Sequence, residues 1–310
     1  MKKVYVIAIL VMFAQFSFGQ QFTDLYGDYF GQIPPGDTAI IFAPGIISLP
    51  NRLEKQIVFS PDGKEIYIGA QMEVSSNVYS TKIYYTKRVN NTWTEQVEVP
   101  FLGNQNIFSP FLSADGNRLY FTYNNPINNI SHIYFVERTA GRWGEPQILP
   151  SPINSTSSDQ GYAETDDNII YISSNRSGNW DIWCIRRLSD QTLHEQNLGP
   201  IVNSTSVQVN PWIAPDESYL IFTTLHPGDS YYGLYIIFNK GNGEWTVPLN
   251  MNKSGARINI FNQGGVTISP DKKYLFFTRG NNPVSGEFWD VYWVSSKIID
   301  DIKKEVLNTK

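Results

Sequence analysis

The chain has 310 residues, 24 Lys and Arg against 29 Asp and Glu, a formal net charge of −5 and one cysteine, Cys184. An acidic balance without a basic run excludes a nucleic-acid backbone as partner. A single cysteine excludes an internal disulfide and a structural zinc finger, and Cys184, inside the apolar run DIWCI, reads as a small buried hydrophobe.

Residues 1–19, MKKVYVIAILVMFAQFSFG, carry two lysines, an apolar run ending near Phe18 and the small residues Ser17 and Gly19. This is the layout of a secretory signal cut after Gly19. The run is short for a spanning helix, so no membrane span is expected after cleavage. No cysteine beside the cut offers a lipoprotein anchor, and the expected location is the periplasm or the exterior. Loss of Lys2 and Lys3 takes the net charge from −5 to −7. Residues 20–37 show no period and read as an irregular packed segment, whereas Thr38 to Ser48, TAIIFAPGIIS, is apolar and strand-like.

From Phe59 the chain repeats itself. FSPDGKEIYIG is a hairpin whose Pro-Asp-Gly supplies turn chemistry between two apolar runs. It returns as LSADGNRLYFT from Leu112, AETDDNIIYIS from Ala163, IAPDESYLIFT from Ile213 and ISPDKKYLFFT from Ile268. The aspartates at 62, 115, 166, 216 and 271 give a period of about fifty residues, within the range of propellers and solenoids. Each copy continues with a third strand, beginning at Lys82, His132, Asp181, Gly233 and Asp290. A fourth follows, marked by Trp93, Trp143 and Trp245, with Leu193 in that place in the third copy. Four strands per copy make a propeller blade, so the fold expected is an all-β propeller of five blades, with six as the alternative, over residues 38–295. The fifth copy stops after its third strand, and TAIIFAPGIIS has the character to complete it. That closes the ring with one strand from the start of the chain and three from the end. Residues 296–310 carry Ile298, Ile299, Ile302, Val306 and Leu307 on one side and read as a short amphipathic helix. Strand direction puts this helix and residues Asp24 to Pro35 on the face of the SPDG turns, with Ile298, Ile302 and Val306 buried.

The SPDG hairpins, together with SSNRSGNWDIW from Ser173 and DVYWV from Asp290, resemble the WD-like β-propeller repeats of the TolB family, over Phe42 to Val294. FSPDGKEIYI and ISPDKKYLFF are the most specific parts. The resemblance implies the propeller fold and an extracytoplasmic binding function. TolB's propeller has six blades where five copies occur here, and nothing here resembles its separate amino-terminal domain.

The face opposite the SPDG turns is built from loops rich in Asn, Gln, Ser and Tyr. Near the inner strands, Glu54, Gln56, Asp159, Gln160, Gln208, Asn210 and Gln263 are candidate ligand contacts, because convergent polar groups in a concavity are the default site. The competing reading is the lining of a water-filled channel. Arg176 and Arg279 follow second strands at similar offsets and are candidates to clamp a carboxylate from the rim. The competing reading has each one bonded to a loop carbonyl or to a neighbouring acid. Trp180, at the loop end of SSNRSGNW, is a candidate to show its face to a ligand.

Catalytic templates are absent: there is no G-x-S-x-G, no H-E-x-x-H and no Gly-rich phosphate loop, and His132, His194 and His226 fall in three different copies. Ser157 to Gly161 has the S-x-D-x-G of a sialidase Asp-box without its tryptophan and outside a hairpin turn. The function expected is a monomeric, non-catalytic binding propeller without cofactor or metal, engaging an envelope protein, peptide or glycan at its mouth. The alternative is a polysaccharide lyase or hydrolase, for which Glu54 and Asp159 count as a carboxylate pair only if the ring brings them together.

Overall fold

The computed structural model describes residues 25–307 apart from 77, 102, 104–105, 227, 242, 253–255, 257, 259–262 and 281–288. Each repeat copy becomes one antiparallel sheet, and the five sheets form a five-bladed propeller. Blade 1 runs Arg52–Phe59, Glu65–Ser75, Val78–Val89, then an outer strand in two pieces, Thr92–Trp93 and Val97–Glu98. Blades 2 and 4 repeat this plan with the outer strand again split after Trp143 and Trp245. Blade 3, with Leu193 in that place, has an unbroken outer strand, Leu193–Asn197.

The turns explain why the repeat is so regular. Ser113 Oγ donates to Asp115 Oδ1 at 2.6 Å, and the Asn117 amide donates to the same oxygen at 2.9 Å. These hydrogen bonds hold the Asp115 carboxyl below its usual range. The same Ser and Asp pair closes the turns at Ser60 and Ser269. The third turn is one residue shorter: Thr165 N bonds Ile169 O, where Ser60 N bonds Glu65 O. Asp166 there turns its amide to Pro215 O of the next blade.

Adjacent blades are clasped through one repeated position in the second strand. Thr122 Oγ1 accepts from Gly161 N at 3.2 Å and Ser173 Oγ accepts from Asn210 N at 3.1 Å, while Thr278 Oγ1 donates to Lys55 O at 3.1 Å. Each bond reaches a bulge in the innermost strand of the following blade. In blade 1 the position is Gly69, where a Cβ would stand 2.9 Å from Pro110 Cδ. Proline fills the space that the hydroxyl takes elsewhere.

The ring closes as the unpaired strand required. Blade 5 consists of Gln263–Ile268, Tyr274–Gly280 and Trp289–Ser295, and its outer strand is Ile40–Ile41, with Ile40 opposite Trp293 and Ile41 opposite Tyr292. Two ladder residues would be a weak latch, but Phe42 follows them into the core. Its ring lies 4.9 Å from Phe276 and 5.2 Å from Trp293, and both Phe42 and Trp293 are fully buried. Apolar burial of two such side chains contributes several kcal/mol, about 1.5–3 each, and outweighs the short ladder.

Both terminal segments lie on the turn face. The helix Lys297–Leu307 buries Ile298, Ile299 and Ile302 against Phe238, Leu275 and Val294, which seals the gap between blades 4 and 5. The expected burial of Val306 concerns a side chain outside the described residues, as does Asp24. Ser296 Oγ donates to Lys272 O, tying the helix start to a turn. In the gap between blades 5 and 1, Tyr29 and Phe30 take left-handed backbone angles, φ 51° and 59°, which aim both rings inward. The Tyr29 ring sits among Phe59, Tyr274, Phe276 and Trp293, and its hydroxyl donates to Asp271 at 3.0 Å. Phe30 packs on Trp93, whose Nε1 donates to Gly27 O.

Candidate functional site

On the face opposite the turns, one repeated position at the start of the innermost strand is polar in four blades, and in three of them it does the same work. Glu54, Asp159 and Gln208 are all fully buried. Glu54 Oε1 accepts from Arg52 Nε at 2.7 Å and from Leu49 N at 3.3 Å. Asp159 Oδ2 accepts from Ser155 N and Oγ at 2.6 and 2.9 Å, and Gln208 Nε2 donates to Ser204 Oγ at 2.7 Å. Each side chain therefore pins the loop that enters its own blade, four or five residues upstream. Gln263 occupies the same place in blade 5 and is buried, paired in register with Arg279. In blade 2 the position is the buried Ile107.

Arg176 completes the blade 3 arrangement. It donates to Asp159 Oδ1 at 2.7 Å, to Pro152 O at 2.9 Å and to Ile153 O at 2.8 Å, and it pairs with Glu195. This is the geometry of the competing reading, an arginine bonded to loop carbonyls and neighbouring acids. Arg52 behaves alike, bonding Ile47 O at 2.7 Å and Gln96. Arg279 has a different environment, since it lies inside the second strand of blade 5 with its guanidinium 3.6 Å from the Tyr292 ring centre. Arg176 falls two residues beyond Ser174, the register counterpart of Arg279, and that offset moves it from strand to loop. The two arginines thus do not share one rim position.

Gln56 packs against Gly265, where a Cβ would come within 2.8 Å of its side chain. Gln160 pairs with Ser173 in the ladder, and Asn210, at φ 56°, forms the bulge clasped by Ser173. Trp180 is half-buried, and its carbonyl accepts from Gln208 N. Burial raises the Glu54 carboxyl to about 7; Arg52 opposes the rise and Asp290 adds to it. Its Oε2 has no partner among the described residues. Burial likewise pushes the Cys184 thiol up to about 11.

A large cavity lies on the other face. Between blades 2 and 3, on the side of the turns, a cleft of about 810 Å³ is lined by Arg118, Tyr120, Leu149, Ile153, Glu164 and Leu193, among others. Tyr120 and Tyr162 stack at 3.9 Å to form one wall. Tyr162 donates its hydroxyl to Glu164 at 2.6 Å. Glu164 has no ion pair among the described residues, since Arg118 is taken by Glu137 at 2.6 Å and Arg187 donates to Gln191 O. Burial raises the Glu164 carboxyl above its usual range, against the hydrogen bond from Tyr162. The sequence held one signal for it. The residue before each turn is Phe59, Leu112, Ile213 or Ile268 in the other copies, and only the third copy puts an acid there. Among the described residues no three His, Cys, Asp or Glu side chains gather as a metal site, and no helix is long and apolar enough to cross a membrane.

No family model matches the sequence, and no curated protein matches it. Solved structures do. TolB from Acinetobacter baumannii is similar with a TM-score of 0.50 at 15% identity over 79% of this chain, which spans about half of that protein, 52%. An alpha-L-arabinofuranosidase from Lactobacillus brevis matches with a TM-score of 0.51 at 16% identity, covering 78% of this chain and 90% of its own. An endo-arabinase from Bacteroides thetaiotaomicron does so with 0.51 at 15%, covering 79% and 96%. Likeness at these identities extends to the propeller fold, and one fold carries many activities.

Proposed function

We propose that the protein is a non-catalytic binding propeller whose ligand, a protein, peptide or glycan, enters the cleft between blades 2 and 3. The observation that carries this reading is a contrast in how polar groups are used. Glu54, Asp159, Arg176 and Gln208 spend their hydrogen bonds on entering loops. The cleft instead presents an acid without an ion pair among the described residues, an aromatic wall and apolar floor residues in a concavity of about 810 Å³, the combination expected of a ligand site. The location outside the cytoplasm rests on residues 1–19 as a signal.

Leu193→Trp tests the cleft. Trp93 covers the corresponding place in blade 1, and a tryptophan at 193 fills the same space. A panel of capped peptides and neutral and acidic oligosaccharides is titrated into wild type and variant. The expected result is at least one binder that the variant loses while keeping its melting temperature. Binding that survives Leu193→Trp and fails on Arg279→Ala moves the site to the opposite mouth. Release of reducing ends from a polysaccharide, stopped by Glu54→Gln, replaces binding with catalysis.

A further inference from the structure

The cleft between blades 2 and 3 has a counterpart that is already occupied. Blade register makes Tyr120 the equivalent of Phe276, because Tyr120 pairs with Phe135 as Phe276 pairs with Trp293. Counting from the turn serine or threonine makes Arg118 the equivalent of Tyr274, and Glu164 that of Phe59. Leu193, opposite Arg187, stands where Trp93 stands opposite Arg88. In the gap between blades 5 and 1 these positions are Tyr274, Phe276, Phe59 and Trp93. They enclose Tyr29 and Phe30, two side chains delivered by an irregular peptide segment. Only about 310 Å³ remains there, against about 810 Å³ between blades 2 and 3.

The same scaffold therefore already demonstrates the mode: an irregular peptide segment lays side chains into an interblade slot. What changes between the slots is chemistry. At the contact made by Phe59 to the Tyr29 ring, the open slot has the Glu164 carboxylate, and the smaller Leu193 replaces Trp93, leaving length for a longer side chain. From this substitution, resting on the cleft reading above, the geometry points to a peptide ligand that inserts a lysine or arginine side chain. Its methylene stem lies along Tyr120, Ile153 and Leu193, and its cation pairs with Glu164.

Three observations favour a cation over an anion or a neutral sugar. Glu164 has no ion pair among the described residues, whereas Glu65 in the neighbouring gap is already neutralised by Arg138 at 2.6 Å. Tyr162 donates to only one oxygen of Glu164. The chain carries a net charge of −5, which concentrates cations near its surface. Arg118 is the opposing charge, but it is half exposed and bound to Glu137. The groups facing the carboxyl are Tyr162 on its own strand, Tyr120 and Arg118 from blade 2, and Asp115 from the turn. A cation needs the ionised carboxylate, so binding strengthens as pH rises through the raised range of Glu164.

The test uses the whole protein and capped pentapeptides Gly-Ala-X-Ala-Gly, with X lysine, arginine, norleucine or glutamate, read by calorimetry or chemical-shift titration. The lysine and arginine peptides should bind about tenfold or more tightly than the norleucine peptide. Glu164→Gln should erase that ratio and leave the norleucine affinity in place. Arg118→Met should raise the lysine affinity by relieving the competing charge. Equal affinity for lysine and norleucine, tighter binding of glutamate, an unchanged ratio in Glu164→Gln, or no binding of any peptide overturns the proposal. The cleft reading fails separately. If oligosaccharides bind and Leu193→Trp blocks them, the cleft stands while the basic-peptide inference falls.

Discussion

The cleft between blades 5 and 1 and the cleft between blades 2 and 3 share one backbone register and are finished in opposite ways. At the seam, Phe59, Tyr274, Phe276 and Trp93 are aromatic, and Tyr29, Phe30 and Phe42 pack among them. There the chain must hold its own ends together with a two-residue ladder, and aromatic burial supplies what the short ladder lacks. Blades 2 and 3 are each built from one unbroken stretch of chain, whereas blade 5 joins strands from both ends, so nothing requires the gap between blades 2 and 3 to be filled. The equivalents Arg118 and Glu164 are charged, and the concavity remains. Position within the ring thus separates a gap filled by the chain itself from an open one built on the same repeat.

The sharpest break is removal of residues 20–48. Blade 5 loses its outer strand and the core loses Phe42, so the domain should fail to fold as a cooperative unit in thermal melting. A soluble truncation with an equally cooperative transition would contradict ring closure by this segment. Next in size, Phe42→Ala should cost about 3–5 kcal/mol by chemical denaturation, since it empties a fully buried site between Phe276 and Trp293. Arg176→Ala should cost about 3–5 kcal/mol as well, because it leaves Asp159 charged, buried and without its partner. A loss below about 1 kcal/mol would instead return Arg176 to the ligand.

Glu54 gives a pH signature. Its folded value, about 7, lies above that of an exposed carboxyl, so its contribution to stability is complete at acid pH. The contribution is lost as pH rises through about 7. By this group alone the protein should lose about 2–3 kcal/mol between about pH 5 and pH 8, and Glu54→Gln should remove that part of the slope. Identical pH profiles for wild type and variant would show that the ion pair with Arg52 outweighs burial. The smallest expected effect on stability is at the open cleft. Glu164→Gln should change unfolding free energy by less than about 1 kcal/mol, in contrast to Phe42→Ala at the seam.

The hairpins and the ring closure could be read in the sequence because both are local or compositional. Ser60 with Asp62 makes a turn by itself, and an apolar strand without neighbours must find one. The roles of Glu54, Asp159 and Arg176 were less legible. Sequence marked them as polar groups near an inner strand, but their partners, Leu49, Ser155 and the carbonyls of 152 and 153, are ordinary loop residues. Arg176 reaches across 23 residues to Ile153 O, a distance no pattern encodes. The cleft was less legible still, since it depends on which gaps the two chain ends cover. Only the exchange of an apolar residue for Glu164 before the third turn pointed to it.

Hydrogen exchange of the whole protein with and without the lysine pentapeptide tests the placement of recognition most directly. Added peptide should slow exchange at residues 117–120, 162–165 and 191–194, around the cleft, and leave residues 155–160 and 175–180 unchanged. Protection confined to 155–160 and 175–180 would place the ligand at the opposite mouth and contradict the division of labour between the two clefts.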